Sequence, residues 1–160
     1  MLIASTPSIS YTAPTGSHAV GTTSLYFADP EREELFTEDP NDVREITARV
    51  WYPSEAGVGA DTAPYITVEL SNAFATGLGI PADEWTALTQ SIQTNSFTNT
   101  PVATVESDYA VLFFSHGGGD MPEFNTVRAE ELASQGYVVV SVNHSYDSAG
   151  NILPDGRTLF

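Results

Sequence analysis

Two continuous apolar runs near the C-terminal end set the class of the chain. Tyr109 to Ser115 (YAVLFFS) and Tyr137 to Val142 (YVVVSV) show no polar alternation, the pattern of parallel-sheet strands covered on both faces. Between them Ala129, Leu132, Ala133 and Gly136 recur at i, i+3, i+4 and i+7, which predicts a helix over roughly Glu123 to Gln135. Asp120 with Glu123 has the spacing of a capping box, Pro122 suits the first turn, and Gly136 supplies a stop. Strand, glycine turn, helix and strand form a βαβ unit with parallel strands and a right-handed crossover. Upstream, Arg44 to Tyr52 alternates instead. Ile46, Ala48, Val50 and Tyr52 share one face, and Thr47, Arg49 and Trp51 share the other. That is a half-buried strand, expected to pair antiparallel with Thr22 to Asp29, which Pro30 ends. Glu31 to Asp42 reads as a solvated acidic loop.

The stretch from Ser54 to Val105 turns helical in period. Leu70, Phe74, Gly77 and Leu78 make one stripe, halted by Gly77 and Gly79. Pro81 opens a second helix with Asp83 and Glu84 in its first turn and Trp85, Leu88 and Ile92 on its buried side. Asn95 to Glu106 reads as a polar loop. The expectation is one α/β domain in four parts: an extended lead-in over 1–21, antiparallel strands over 22–53, a helical insertion over 54–105, and the βαβ unit over 106–160.

Composition narrows the partners. The chain has 160 residues, 41% of them hydrophobic and 11% aromatic, enough for a core. No apolar run approaches the roughly 20 residues of a membrane-spanning helix. The opening MLIASTPSIS has no basic region ahead of an apolar stretch, so no secretory signal is visible and the compartment stays open. Asp and Glu number 21 against 5 Lys plus Arg, a net charge of −16, and all five bases are arginine. Charged residues are 16%, below the usual ~25%, so the imbalance comes from missing bases. Such a surface repels phosphate backbones and anionic membranes, so no nucleic-acid partner is expected. With no cysteine there is no disulfide, thiolate metal site or Cys nucleophile. His18, His116 and His144 lack paired-ligand spacing, so neither metal nor cofactor is expected, and His18 reads as a surface residue.

The candidate chemistry lies at the carboxyl end of the first apolar strand, where open parallel sheets place their sites. Ser115-His116-Gly117-Gly118-Gly119 can bring main-chain N–H groups close to a ligand. Phosphate cradling fits poorly: no dinucleotide or P-loop motif occurs, lysine is absent, and Asp120 and Glu123 open the helix. An oxyanion hole fits better, because H-G-G-G after a strand accompanies the α/β-hydrolase nucleophile elbow. A turn that merely lets strand and helix pack closely is the plainer competitor. Ser115 and His116 are strand neighbours that point to opposite faces, so they cannot readily bond each other, and Ser115 is not favoured as a nucleophile. His144, with Asp147 three residues on, ends the following strand on the same edge; a solvated loop histidine is the favoured reading there. Trp51 and Trp85 read as core.

These segments resemble the platelet-activating-factor acetylhydrolase-like α/β-hydrolases. YAVLFFSHGGG, AEELASQGYVVVSVNHSYDSAG and LPDGRTLF are similar to that family's central segment; PTGSHAVGTTSLYFAD, ITARVWYPSE and Ala63 to Tyr65 (APY) match its opening strands. Hormone-sensitive-lipase-like esterases share H-G-G-G, but they follow the next strand with a Tyr-Arg segment where this chain has Val142 to Asp147. The resemblance implies a serine esterase. By position, Gly118 matches the residue lending the oxyanion N–H, with Gly117 beside it, while His116 and Gly119 shape the loop. No G-x-S-x-G occurs in the chain. The resemblance therefore implies the N-terminal part of an α/β-hydrolase sheet, truncated, with nucleophile, acid and base beyond Phe160 and no catalytic residue of the triad within it. An inactive fragment of an enzyme acting on lipid or short-acyl esters follows. The strand Tyr109 to Ser115, without its neighbour, becomes an open edge prone to self-association. The alternative is a non-catalytic acidic α/β binding module or a pseudo-enzyme remnant.

Overall fold

The alternating stretch forms the spine of the sheet. In the computed structural model, which describes residues 8–55 and 60–160, strand β3 (Val43–Ser54) pairs antiparallel with β2 (Ala19–Glu33) on one side and β7 (Tyr137–Asn143) on the other. β7 in turn runs parallel to β6 (Ala110–Ser115), with Ser115 opposite Val142. The full order is β1-β5-β2-β3-β7-β6, where β1 is Ile9–Ser10 and β5 is Ile92–Thr98. β4 (Thr62–Pro64) lies antiparallel to β5, and β8 (Asn151–Ile152) forms a separate pair with β9 (Thr158–Leu159). Helices α1 (Val68–Leu78), α2 (Ala82–Gln90) and α3 (Thr126–Ser134) complete the fold. The expected antiparallel opening and parallel βαβ unit are both present. The opening residues 1–7, on which the reading of the N-terminus partly rests, lie outside the described residues.

Two apolar clusters hold these elements. Trp51, fully buried, packs with Val20, Ala129, Ala133 and Val139, clamping α3 to the sheet, with Phe114 and Leu132 at its rim. Tyr65, Ile66, Leu70 and Met121 seat α1 beside the turn that follows β6.

Several expectations are corrected. β2 does not stop at Pro30 but runs to Glu33; the register slips between Asp29 and Glu33, so the imino residue sits in an irregularity and displaces no ladder bond. The span 54–105 is not a purely helical insertion, because it holds β4 and β5, and Asn95 begins no loop. Polarity disguises β5: its inward residues are Thr94 and Ser96, buried because their hydroxyls bond Ala63 O (2.6 Å) and the Glu130 carboxylate. In α2 the buried residue is Thr89, whose hydroxyl lies 2.8 Å from that of Ser71, while Leu88 is exposed. The capping box does not form. Asp120 accepts from Met121 N (2.7 Å), Glu123 reaches Arg49 at 3.6 Å, and the first turn, Pro122–Asn125, is a 3₁₀ helix ahead of α3. Gly136, at φ +97°, provides the stop as expected.

The lead-in is tied down. Thr15 bonds Glu131, Gly16 N donates to Ser134 Oγ (3.0 Å), and His18 N donates to Ser134 O (3.1 Å). His18 is half-buried edge-on to Tyr109 and not a surface residue. A further correction concerns β6. It is not covered on both faces: it ends the strand order, and Val111 and Phe113 are 52% and 78% exposed.

Candidate active site: the glycine turn and the end of the central strands

The sheet delivers two chain segments to one edge. β6 leaves the sheet at Ser115, and β7, its parallel neighbour, leaves at Asn143. The register therefore sets residues 115–120 against residues 144–149. Three contacts join these turns. His144 N donates to His116 Nε2 (3.3 Å), Gly119 N donates to Asp147 O (2.9 Å), and Ala149 N donates to Asp120 O (3.0 Å).

His116 is the organising side chain. It is buried, and its Nδ1 lies 2.8 Å from Gly117 O. A carbonyl only accepts and the His144 amide only donates, so in these two bonds Nδ1 is the donor and Nε2 the acceptor. Both nitrogens are consumed in holding the loop, so neither is free to act as a base. Gly119 adopts φ +72°, the left-handed region that favours glycine, which turns the chain back so that Asp120 N closes on Gly117 O at 3.1 Å.

The amides of Gly117 and Gly118 have no partner among the described residues, and both glycines are exposed. Space is open on the side-chain side of both α-carbons. A Cβ at Gly117 would meet nothing within 4 Å, and one at Gly118 only Asp147 Oδ1 at 3.5 Å. Two adjacent N–H groups on exposed glycines, without a partner among the described residues, are candidates to receive an anionic oxygen.

His144 is half-buried, its Nε2 2.7 Å from Ser115 Oγ and its ring 5.1 Å from that of His116. The favoured sequence reading, a histidine satisfied by solvent, does not hold. Burial holds its pKa below the usual histidine range, helped by His116 and Arg44 and opposed by Asp147, so the ring favours its neutral form. Asp147 contributes its backbone carbonyl to the loop; its carboxylate is exposed and makes no hydrogen bond to His144. The sequence reading rightly kept Ser115 off His116 but did not bring it to His144. The signal was the parallel register: with Ser115 opposite Val142, residue 144 stands just past the strand end beside it.

Beside β6 lies an apolar groove of about 260 Å³ lined by Leu112, Phe113, Phe114, Arg128, Leu132 and Val139. Among the described residues no three His, Cys, Asp or Glu side chains gather as a metal site, and no helix is long and apolar enough to cross a membrane.

Antiparallel opening strands, a parallel crossover beside them and a glycine turn at the carboxyl edge place the chain in the α/β-hydrolase fold. The comparisons agree. Residues 3–153 match the family model described as platelet-activating factor acetylhydrolase, isoform II, and the chain belongs to that family. Among solved structures it is similar to a ferulic acid esterase from Streptomyces cinnamoneus, with a TM-score of 0.76 and 25% identity over 94% of this chain and 40% of that one. The chain thus spans about two fifths of that esterase's length. No curated protein matches.

Proposed function

We propose that these residues supply the oxyanion-hole half of a serine ester hydrolase acting on lipid or short-acyl esters. The observation that carries this is the pair of unpartnered amides at Gly117 and Gly118, held by His116 and the Asp147 carbonyl at the carboxyl edge of the sheet. As an ester carbonyl is attacked, its oxygen gains charge, and preset donors stabilise that charge without reorganising. The general base, the acid that orients it and the elbow serine are roles that residues 1–160 do not fill in the family's way, since no G-x-S-x-G occurs among them. Sustained turnover accordingly needs an elbow supplied from outside these residues.

The test is made in a protein in which these residues are joined to a G-x-S-x-G strand. There, Gly118→Pro, which deletes the amide, is expected to lower kcat on p-nitrophenyl acetate by about 10²–10³ with a smaller change in KM. Unchanged kcat would remove Gly118 from the hole.

The open edge supports a second part of the proposal: the 160-residue chain self-associates through β6. Its outer N–H and C=O groups are paired by no strand among the described residues, and Val111 and Phe113 lie exposed along it. Sedimentation velocity over a wide concentration range is expected to show association that the double substitution Val111→Lys, Phe113→Lys abolishes. A concentration-independent monomer would contradict it. No nucleic-acid partner is expected, given the net charge of −16.

A further inference from the structure

Ser115 and His144 are used by none of the roles above, yet they meet at hydrogen-bonding distance next to the free amides. We propose that Ser115 is itself an acyl-accepting nucleophile with His144 as its base, a second reactive centre for small activated esters and organophosphonates. This goes beyond the hydrolase reading, which stands whether or not Ser115 reacts.

The geometry meets the requirements for a nucleophile and base. Ser115 Oγ and His144 Nε2 are 2.7 Å apart, within the reach needed for proton transfer. Ser115 is exposed, so a small acyl donor can approach. His144 is fixed by its own backbone amide, which donates to His116 Nε2. His144 Nδ1 has no partner among the described residues, so it can carry the ring proton and leave Nε2 as the acceptor. Burial is the largest influence on the ring, and the charged and titratable groups acting on it are His116, Asp147 and Arg44; together they shift it toward the neutral form. Gly117 and Gly118 follow in the same turn with open N–H groups.

The chemistry balances. The Ser115 proton moves to His144 Nε2 as Oγ bonds to the ester carbonyl carbon, whose oxygen becomes the anion. Collapse breaks the carbon–oxygen bond to the leaving group, which departs as an alcohol or phenol after taking the proton back. The product is acyl-Ser115. Among the described residues no carboxylate bonds His144, and without one to stabilise the imidazolium the step is slow and the acyl group is lost slowly to water. The expected behaviour is one-for-one modification and not sustained turnover.

The 160-residue chain is incubated with a fluorophosphonate probe and, separately, with p-nitrophenyl acetate, then analysed by intact mass and fragmentation. The expected result is a single adduct located on Ser115, absent after Ser115→Ala and absent when the chain is unfolded in urea. His144→Gln should slow labelling by about 10²-fold or more. For the native chain, the labelling rate should fall as acid protonates His144. Circular dichroism checks that each variant keeps the fold. No adduct, an adduct on another residue, or labelling that survives urea or is unmoved by His144→Gln would each overturn the assignment. Because these readouts concern one residue of the isolated chain, their failure is distinct from an unchanged kcat in Gly118→Pro.

Discussion

Trp51→Ala is expected to lower the free energy of unfolding by about 3–5 kcal/mol. Trp51 has no exposed surface and sits on β3, the strand paired on both sides, where it meets Ala129 and Ala133 of α3 and Val139 of β7. Truncation removes the transfer free energy of an indole and leaves a void between sheet and helix that neighbouring alanines are too small to fill. Trp51→Phe separates packing from polarity. It keeps a ring in place and removes an indole N–H that has no hydrogen-bond partner among the described residues, so the loss should be smaller, about 1–2 kcal/mol. Urea unfolding followed by circular dichroism gives both values, with the midpoint moving and the slope unchanged. A loss below about 1 kcal/mol for Trp51→Ala would mean that α3 is not clamped by this side chain.

Glu130→Ala is expected to cost about 3–4 kcal/mol by a different route. This carboxylate is completely buried on α3 and faces no arginine; instead it accepts from Asn95 N (2.8 Å), Asn95 Nδ2 (3.1 Å) and the Ser96 hydroxyl. It thereby fastens α3 to β5 across the sheet. Alanine leaves the buried Ser96 hydroxyl and the part-buried Asn95 N without this acceptor, while Asn95 Nδ2 keeps Thr12 O at 3.2 Å, and leaving buried donors unmade costs more than each bond is worth when formed. Glu130→Gln should cost less, because one amide oxygen still accepts while the amide nitrogen confronts donors. Hydrogen exchange at the Asn95 amide, accelerated in both variants and most in alanine, locates the damage. Normal protection in Glu130→Ala would show that β5 is held by its strand partners alone.

The two residues also mark how much could be read in advance. Trp51 was legible as core from its size and aromaticity, although the alternation of its strand set it on the face of Thr47 and Arg49. Glu130 was not, because a carboxylate on a helix ordinarily belongs on the wet face. Its burial depends on donors 35 positions away, on a strand whose own inward residues are threonine and serine. A polar strand and a buried acid explain each other only once they are in contact. The same holds at the candidate site. The glycines, their place after β6 and the resemblance they carry were visible in the string of residues, whereas the pairing of Ser115 with His144 was not.

Local sequence by itself determined the βαβ unit, the antiparallel opening, the helices α1 and α2 and the position of the glycine turn. Each follows from periods of two or 3.6 residues and from glycine and proline punctuation, which act within a few residues. The tertiary structure alone decided that the lead-in is bolted to α3, that a polar segment forms β5, that β6 faces solvent, and that His144 turns toward Ser115. Those outcomes depend on which strand lies beside which, and that is settled by hydrogen bonds and packing between residues far apart in the chain.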